Sequence, residues 1–360
     1  MKLVFFGLSL SSSWGNGHAT TYRSLLRGLH ERGHHLVFYE RDVPWYAAHR
    51  DLARPEYAEI RLFASWRRAR REALAAARAA DAAIVGSYCG EGAAILDDLL
   101  QQRPRRLAFY DIDTPVTQEA LDHGGCEYLR PEHIAAVDLY LSFTSGPMLE
   151  ELRRRGARRP RALHCCSDPE HYRPGASGPP RWQLGYLGTY APDRHDKLRR
   201  LLLEPARRLP EMRFVVAGPL YPDRESWPAN VEHVAHLGPG EHPEFYRSCR
   251  LTLSITRRAM VAWGYSPSIR LFEAAACATP IVTDPWPGLE QFFTPQGKNG
   301  ARGKGEVLVA TEAGQMVDYL REVSSAELES MARAARERVL REHTGERRAE
   351  QLEQYLQEIG

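Results

Sequence analysis

The stretch KLVFFGLSLSSSWGNGHATTYRSLLRGLHERGHHLVFYERD (residues 2–42) contains the pattern that decides the fold. A short apolar run (3–8) is followed by a polar Gly/Ser loop, a segment with helical spacing that ends at Gly33, and a second apolar run. Short apolar runs bounded by turn residues are typical of buried strands. The order strand, helix, strand predicts a βαβ unit, whose two strands lie parallel in one sheet.

The same alternation continues along the chain. Further strand candidates are DAAIVGS (81–87), RLAFYDID (106–113) and VDLYLSF (137–143). A Pro/Gly-rich stretch, CCSDPEHYRPGASGPPR (165–181), interrupts the pattern, which then restarts and ends in a long charged helix. Because 360 residues are long for a single core, we predict an α/β protein with two parallel-sheet domains, 1–170 and 171–340, and a terminal helix at 341–360.

Composition excludes several classes of protein. The net charge is +2, from 48 basic and 46 acidic residues, so the total charge does not indicate a nucleic-acid partner. Arginine-rich runs such as WRRARREALAAARAA (66–80) are typical of solvated helix faces, with a patch for an anionic surface as the alternative. The six cysteines form no Cys-x-x-Cys pair, which argues against structural zinc and predicts a cytoplasmic protein. No apolar span reaches about 18 residues, so we expect no transmembrane segment.

Loops that follow strands are the expected place for ligands in open α/β sheets. In WGNGH (14–18), Gly17 allows a close backbone approach, and His18 can act as a base or a hydrogen-bond partner. The alternative is a helix cap with a surface histidine. In CGEGAA (89–94), Glu91 either contacts a bound ligand or caps a helix.

The segment FYDIDTPVT (109–117) ends a strand with two aspartates, Asp111 and Asp113. Asp-x-Asp at a strand end is one way in which sugar-transferring enzymes hold a divalent metal against a nucleotide diphosphate. The alternative is that the two carboxylates contact the acceptor or the sugar, with one of them as a general base. Asp113, followed by Thr-Pro, also favours a turn.

The segment YSPSIRLFEAAACATPIVTD (265–284) has the clearest ligand-binding pattern. Ser266 suits a helix N-cap, and Pro267 suits the first helical position. Ser266 and Ser268, with the free backbone N–H groups of the helix, can hold a diphosphate. Glu273 can accept both hydroxyls of a ribose, or it is an exposed glutamate on an amphipathic helix.

These segments together resemble GT-B-fold glycosyltransferases of the group 1 superfamily, and within it the CgeB-like, spore-maturation-type branch. FEAAACATP (272–280) matches the second half of the superfamily signature, with Glu273 in the place of the ribose-binding glutamate. Tyr265 stands where the first glutamate of the signature contacts the donor sugar. The resemblance covers about residues 1–345. It implies GT-B architecture, in which two Rossmann-like domains face each other across a cleft and the C-terminal helix crosses back to the first domain.

Three further segments agree with this family in order and spacing. CSDPEHYRP (166–174) resembles the interdomain stretch Val-Asp-x-x-x-Phe-x-Pro. YLGTYAPDRHDK (186–197) resembles the loop that grips the donor phosphates, with Thr189 and Arg194 in the places of its arginine and lysine. Lys197, Arg257 or Arg258 would then replace the missing charge. Leu237 and Gly238, in HLGPGEH (236–242), fall where the family contacts the nucleotide base through its backbone.

The resemblance implies a metal-independent glycosyltransferase that uses a nucleotide diphosphate-sugar as co-substrate and needs no cofactor. His18, Asp111 and Asp113 would be catalytic, and Gly17 and Glu91 would bind the acceptor, which is a small molecule, a glycan or a protein and not a nucleic acid. The alternatives are a nucleotide-sugar epimerase on the same fold and a non-catalytic sugar-nucleotide-binding protein. A nicotinamide dehydrogenase is disfavoured because GNGHAT (15–20) lacks the third glycine of the dinucleotide fingerprint. The insertion-like loop at 294–306 is expected near the donor end.

Overall fold

The computed structural model describes residues 1–175, 178–222, 224–297 and 305–359. Residues 298–304, the centre of the loop at 294–306, lie outside the described residues. The chain forms two compact units: the first comprises Met1–Cys166 and Thr344–Gly360, and the second comprises Ser167–His343.

The β-strands are short and mostly buried, as expected for strands covered on both faces. They are β1 (Lys2–Gly7), β2 (His35–Arg41), β3 (Glu59–Phe63), β4 (Ala82–Gly86), β5 (Leu107–Asp111), β6 (Leu139–Ser142), β7 (Pro160–Ala162), β8 (Trp182–Leu187), β9 (Phe214–Ala217), β10 (Val231–Val234), β11 (Cys249–Ser254), β12 (Ile281–Thr283) and β13 (Leu308–Val309).

The α-helices connect these strands and follow the last of them. They are α1 (His18–Glu31), α2 (Pro44–Ala47), α3 (Trp66–Arg78), α4 (Gly92–Gln102), α5 (Thr114–Asp122), α6 (Pro131–Ala136), α7 (Pro147–Arg154), α8 (Pro192–Leu198), α9 (Glu204–Arg208), α10 (His242–Arg247), α11 (Arg258–Trp263), α12 (Ile269–Ala276), α13 (Ala313–Glu322), α14 (Ser325–Glu342) and α15 (Gly345–Gln357). A π-helical turn at Arg199–Leu203 joins α8 to α9.

Each unit is built on one parallel sheet. Within the described residues, the strand order is β3-β2-β1-β4-β5-β6-β7 in the first unit and β10-β9-β8-β11-β12-β13 in the second. Every strand pair in both sheets is parallel. The predicted α/β class with parallel sheets is therefore confirmed. In both sheets the order reverses around the first strand of the unit, β1 or β8, and such a switch point is where open α/β sheets bind ligands.

The final helix completes the core of the first unit. Ala349, Leu352 and Leu356 of α15 are fully buried in the same apolar cluster as Leu25 and Leu29 of α1. In this cluster the two helices cover one face of the sheet. Among the described residues, no helix has both the length and the apolar character that a bilayer span requires.

Two glycines allow α1 and α15 to approach closely. A Cβ atom on Gly28 would lie 2.6 Å from the carbonyl oxygen of Gly345, and one on Gly345 would lie 2.1 Å from that of Ser24. Both distances are below any normal contact, and the obstacle in each case is backbone, which cannot rotate away. The helix pair can therefore pack at this distance only while both positions lack a side chain.

Replacing Gly28 by alanine tests this close approach. We expect Gly28→Ala to lower the free energy of unfolding by about 1–3 kcal/mol, since the helices must separate to admit the methyl group. The measurement is thermal or urea unfolding. Gly314→Ala is the matched control, because Gly314 also lies in a helix and a Cβ there meets no atom within 4 Å. Equal stability of the two variants would contradict this account of the packing.

Candidate functional site

Loops at the carboxyl edge of the first sheet bring together three residues that are distant in the chain. His18 is the first residue of α1, after β1. Tyr88 follows β4, and Asp113 follows β5 as the N-cap of α5. We call His18, Tyr88 and Asp113 the amino-terminal site. It lies beside β1 and β4, at the switch point of the first sheet.

The imidazole of His18 is held between a carboxylate and an aromatic ring. Its Nε2 lies 3.4 Å from Oδ2 of Asp113, and the edge of its ring meets the ring of Tyr88 at a centroid distance of 5.2 Å. Only 7% of His18 is exposed, and its Nδ1 is buried without a hydrogen-bond partner among the described residues. Asp113 therefore fixes the orientation of the His18 imidazole, as a carboxylate partner does for a histidine that acts as a general base.

Asp111 lies in the interior, unlike Asp113. It is fully buried, and its carboxylate accepts hydrogen bonds from Thr117 Oγ1 at 2.6 Å and from the hydroxyl of Tyr140 at 2.7 Å. Burial raises the pKa of Asp111 to about 7, and the charge of Asp113 adds to this shift while the two hydroxyls oppose it. Asp111 is therefore hydrogen-bonded within the interior, and its bond from Thr117 holds α5 in place.

Gly17 and Glu91 are both N-cap residues by position. Gly17 precedes α1 and Glu91 precedes α4, in the left-handed region with φ of 62°. The carboxylate of Glu91 accepts a hydrogen bond of 2.8 Å from the backbone N–H of Trp66, at the start of α3, and lies 3.8 Å from Nε of Arg41. Glu91 therefore caps the start of α3 and not α4, the helix that it precedes.

At the carboxyl edge of the second sheet, two further arginines lie near enough to Arg194 for their charges to act on it. Arg194 lies in the first turn of α8, Arg257 follows β11, and Arg270 lies in the first turn of α12. Burial lowers the pKa of Arg194, and the positive charges of Arg270 and Arg257 lower it further. We call these three residues the arginine cluster. Like charges that act on one another raise the free energy of the protein, and an anion bound beside them would offset this repulsion.

Several polar donors of this edge lack a hydrogen-bond partner among the described residues, namely Nε of Arg194, Nε of Arg257 and Oγ of Ser254. Arg194 uses its Nη2 to donate to the carbonyl oxygen of Thr189 at 2.7 Å, which holds the guanidinium over the loop after β8. Nε of Arg257 lies 3.7 Å from Oδ2 of Asp193. Unpaired buried donors are costly, so donors of this kind are typical of a site that a ligand completes.

Lys197, one candidate for the missing charge, has internal partners. Its Nζ lies 2.6 Å from Oδ2 of Asp284 and 3.1 Å from the carbonyl oxygen of Thr256. Asp284 is buried, and its other oxygen accepts from the backbone N–H and the hydroxyl of Thr256. This ion pair fixes the loop after β11, which carries Arg257. Lys197 thus positions the arginine cluster and does not extend it.

The helix α12 begins two residues later than the sequence pattern predicted. Its N-cap is Ser268 and not Ser266, and Pro267 precedes the helix. Ser266 is fully buried, whereas Ser268 is half-buried at the helix start. The shift follows from the preceding backbone, because Tyr265 has a φ of 50° and its N–H donates to the carbonyl oxygen of Pro287 at 2.7 Å. The chain reaches a helical conformation only after this turn.

Glu273 is buried, with 3% of the residue exposed, so the exposed-glutamate alternative is wrong. Its Oε1 accepts a hydrogen bond of 3.0 Å from the hydroxyl of Tyr172, and its Oε2 accepts one of 2.9 Å from the hydroxyl of Tyr246. Leu237 and Gly238 lie in the loop before α10, where the N–H of Gly238 donates to Oε2 of Glu241 at 2.8 Å. This loop and Glu273 flank α10 in the second unit.

Metal ligands are not grouped in the part of the chain that the structure describes, because no cluster of three or more His, Cys, Asp or Glu side chains is suitably placed there. Asp111 and Asp113 do not point to a shared exposed position, since Asp111 is enclosed by Thr117 and Tyr140. The expectation that no metal takes part stays a prediction.

Sequence comparison relates the second unit to a known family. Residues 194–354, slightly under half of the chain, match the family described as glycosyl transferase-like. The match begins at Arg194 and includes the arginine cluster, α12 and Glu273. No curated protein matches the chain significantly.

Structural comparison covers nearly the whole chain. Sucrose-phosphate synthase from Thermosynechococcus elongatus has a TM-score of 0.66 at 14% identity, covering 100% of this chain and 99% of that one. HepE from Anabaena, in complex with UDP-glucose, has a TM-score of 0.68 at 11% identity, covering 99% of this chain and 100% of that one. An α-glucosyltransferase in complex with UDP-glucose and DNA containing an abasic site has a TM-score of 0.72 at 11% identity, covering 99% of both chains. These likenesses show that the fold is that of GT-B glycosyltransferases.

Sequence reasoning missed several residues of these clusters. Arg270 lies within the segment that was singled out, and the signal was available, because an arginine in the first turn of a helix opposes the helix dipole unless an anion is bound there. Tyr172, Tyr246 and His242 gave no signal, since buried tyrosines and histidines are common in any core.

The raised pKa of Asp111 predicts a pH dependence of stability. The folded-state pKa of about 7 lies above the ordinary value of 3.8, so the folded state keeps a proton that the unfolded state loses. The contribution of Asp111 to the free energy of unfolding is at its maximum below the pKa of the unfolded state, and it is lost as the pH rises through 7. Between pH 5 and pH 7 we expect wild-type stability to fall by up to about 3 kcal/mol relative to Asp111→Asn, by urea unfolding.

Asp122→Asn serves as the control for this pH dependence. Asp122 lies in the same unit, but a hydrogen bond from Arg155 lowers its pKa, so the difference between this variant and the wild type should be nearly constant from pH 5 to pH 7. A constant difference for Asp111→Asn as well would show that Asp111 is ionised throughout this range.

Proposed function

We propose that this protein is a glycosyltransferase that takes a sugar from a nucleotide diphosphate-sugar bound to the second unit and transfers it to an acceptor bound to the first unit. The observation that carries the proposal is the arginine cluster, in which Nε of Arg194 and Nε of Arg257 are buried without a hydrogen-bond partner among the described residues and Arg270 lies in the first turn of α12. The family match to residues 194–354 and the GT-B fold support it. Assignment to the CgeB-like branch and the cytoplasmic location remain predictions.

The arginine cluster supplies what the departing diphosphate needs. When the bond from the sugar to the phosphate oxygen breaks, negative charge develops on that oxygen. Arginine donors and the N-terminus of α12 would stabilise this charge without further reorganisation, because their positions are set by the protein. Arg194 and Arg257 have donors available for phosphate oxygens, and planar guanidinium groups bind such oxygens bidentately. Fixed cations of this kind perform the task of a divalent metal, so we propose that the reaction needs none.

The donor base is proposed to be uracil, because HepE and the α-glucosyltransferase were both solved with UDP-glucose. Glu273 would bind the ribose hydroxyls, the backbone of Leu237 and Gly238 would contact the base, and Ser266 and Ser268 would lie beside the diphosphate. A hexose donor is consistent with the same two structures. Tyr265, held with a positive φ next to Ser266, would contact the sugar.

His18 is the group that we propose as the base for the acceptor. Asp113 orients the imidazole and would stabilise its charge after it takes the proton. Asp111 is assigned a positioning role, since its carboxylate is enclosed and holds Thr117 of α5. If His18 removes the proton, the reaction inverts the anomeric centre. If the leaving phosphate takes the proton, the reaction retains the configuration at the anomeric centre.

The acceptor is proposed to be a hydroxyl or amine compound with a sugar ring, not a nucleic acid. On the rim of the first unit, Trp45 is 55% exposed, and the ring of Trp14 stacks on His49 at 4.7 Å. Aromatic faces of this kind suit the apolar face of a sugar. Two arginines of the first unit are paired with carboxylates, Arg23 of α1 with Asp51 at 2.8 Å and Arg50 with Asp42 at 2.5 Å, which leaves less free positive charge for a phosphate backbone.

Nucleoside diphosphates provide the direct test of the donor assignment. In a thermal-shift screen of UDP, GDP, ADP, TDP and CDP, we expect UDP to raise the melting temperature, with the same shift in the presence of a chelator. Arg270→Gln should weaken UDP binding about tenfold or more, because it removes a charged hydrogen-bond donor. Arg333→Gln, an exposed arginine of α14, is the control. A shift that disappears with chelator would instead support the alternative in which Asp111 and Asp113 bind a divalent metal.

Turnover tests the amino-terminal site. With UDP-glucose and a panel of oligosaccharide acceptors, we expect His18→Ala to lower the rate of UDP release about 100-fold or more, in the range of lost general-base catalysis. Asp113→Asn should lower it less, and both variants should bind UDP as the wild type does. UDP binding without acceptor-dependent release in the wild type would instead favour a non-catalytic protein or an epimerase.

A further inference from the structure

We propose that Tyr172 and Tyr246 are positioning residues that set the orientation of the Glu273 carboxylate, so that this site selects ribonucleotides over deoxyribonucleotides. The inference rests on the proposed function, since it concerns the nucleoside part of the donor. It assigns a role to two tyrosines that neither the sequence pattern nor the proposed chemistry uses.

The geometry is symmetrical about the carboxylate. Each oxygen of Glu273 accepts one tyrosine hydroxyl, Oε1 from Tyr172 at 3.0 Å and Oε2 from Tyr246 at 2.9 Å. An ionised carboxylate has about four lone-pair sites, two on each oxygen. One site on each oxygen is therefore occupied by a phenol, and one remains on each for a further donor. Two neighbouring hydroxyls of a ribose are such a pair of donors.

Holding the carboxylate from both sides fixes its plane. A glutamate side chain ends in a torsion that is broad and nearly free, so a single contact leaves the carboxylate able to rotate. Tyr246 is carried by α10, and Tyr172 by the segment that opens the second unit, so the two phenols reach Glu273 from different elements. Loss of either phenol would restore rotation, and bidentate binding would then require ordering the carboxylate at the moment of binding.

His242 extends this arrangement to a chain of three hydrogen-bonding groups. Its Nδ1 lies 3.2 Å from the hydroxyl of Tyr172. The backbone of Leu237 also hydrogen-bonds to this imidazole, so His242 links Tyr172 to the loop that carries Leu237. Burial lowers the pKa of His242 although the charge of Glu273 opposes the shift, so the imidazole is neutral. Burial and the charge of Glu273 raise the pKa of Tyr246 far above its ordinary value, so its phenol keeps the donated proton.

The residue before Tyr172 holds the loop of the nucleotide base. Nε2 of His171 lies 2.8 Å from the carbonyl oxygen of Pro239, directly after Leu237 and Gly238. The dipeptide His171-Tyr172 thus contacts both the base loop and the ribose carboxylate. In the pattern Val-Asp-x-x-x-Phe-x-Pro that CSDPEHYRP resembles, Tyr172 occupies the phenylalanine position. The hydroxyl that reaches Glu273 is therefore an addition of this chain to the pattern.

A purely structural role would have a different signature. If the tyrosines only satisfied a buried carboxylate, removing one hydroxyl would lower stability and affect all nucleotides equally. If they orient Glu273 for the ribose, the loss falls on ligands that carry the 2′-hydroxyl. The ratio of dissociation constants for 2′-deoxy-UDP and UDP separates the two cases, because global destabilisation cancels in the ratio.

The experiment is calorimetric titration of the full chain with UDP and with 2′-deoxy-UDP. We expect the wild type to bind UDP about tenfold more tightly, the effect of one hydrogen bond to a charged group. Tyr172→Phe and Tyr246→Phe should each reduce this preference to about threefold or less, mainly by weakening UDP. Tyr319→Phe is the matched control, since its half-buried phenol donates to the carbonyl oxygen of Val309, in a different part of the second unit.

A double-mutant cycle adds a second readout. Glu273→Gln should lose the preference by itself, and Tyr172→Phe should then have no further effect on it. An unchanged preference in both tyrosine variants, with UDP still bound, would overturn this inference alone. Absence of UDP binding to the wild type would overturn the proposed donor and this inference with it. If Tyr246→Phe does not fold, Tyr172→Phe decides, because phenylalanine retains the ring that packs there.

Discussion

Burial of Arg194 near two further arginines, Arg257 and Arg270, is the constraint on which the candidate site of the second unit depends. The three guanidinium groups belong to three different elements, and burial, together with the charges of Arg270 and Arg257, lowers the pKa of Arg194. Contacts outside the arginine cluster hold these elements in place. Asp284 pairs with Lys197 and holds the backbone of Thr256, so the loop that carries Arg257 is anchored by a carboxylate that does not neutralise the arginines themselves. The turn at Tyr265, which has a positive φ, places the N-cap of α12 at Ser268, close to Arg270.

Three buried carboxylates, Glu40, Asp111 and Glu273, differ in how many hydrogen-bond donors they have. Glu40, near the end of β2, is fully buried and accepts hydrogen bonds from two backbone N–H groups and from the hydroxyls of Ser9 and Ser11. Asp111 has only two hydroxyl donors, and burial raises its pKa to about 7. Glu273 has two phenols and one remaining lone pair on each oxygen. Glu40 is a structural anchor with its capacity filled, whereas Glu273 retains capacity for a ligand.

Much of the fold could be predicted because it depends on local patterns. Apolar runs of strand length, the helical spacing between them and the Pro/Gly stretch at 165–181 predict parallel α/β sheets, and these are found. The start of α12 was predicted two residues early, since Ser266 and Pro267 have the right types for a helix start, and the hydrogen bond from Tyr265 to Pro287 that overrides them joins distant parts of the sequence. The sequence indicated Glu273 as a candidate residue, but it gave no indication of the two phenols that bond to it.

The sequence by itself determined the class of fold and the segments in which ligand chemistry was to be sought, because strands, helices and their connecting loops follow from residue order. Only the tertiary structure decided which charges remain available. Lys197 and Arg194 are both cationic side chains of one short segment, yet Lys197 is paired with Asp284, whereas Nε of Arg194 has no hydrogen-bond partner among the described residues. Asp111 and Asp113 are one residue apart, yet one is enclosed and the other faces His18. Such differences arise from contacts between residues tens of positions apart, and the electrostatic free energy of a side chain depends on those contacts and on its distance from water.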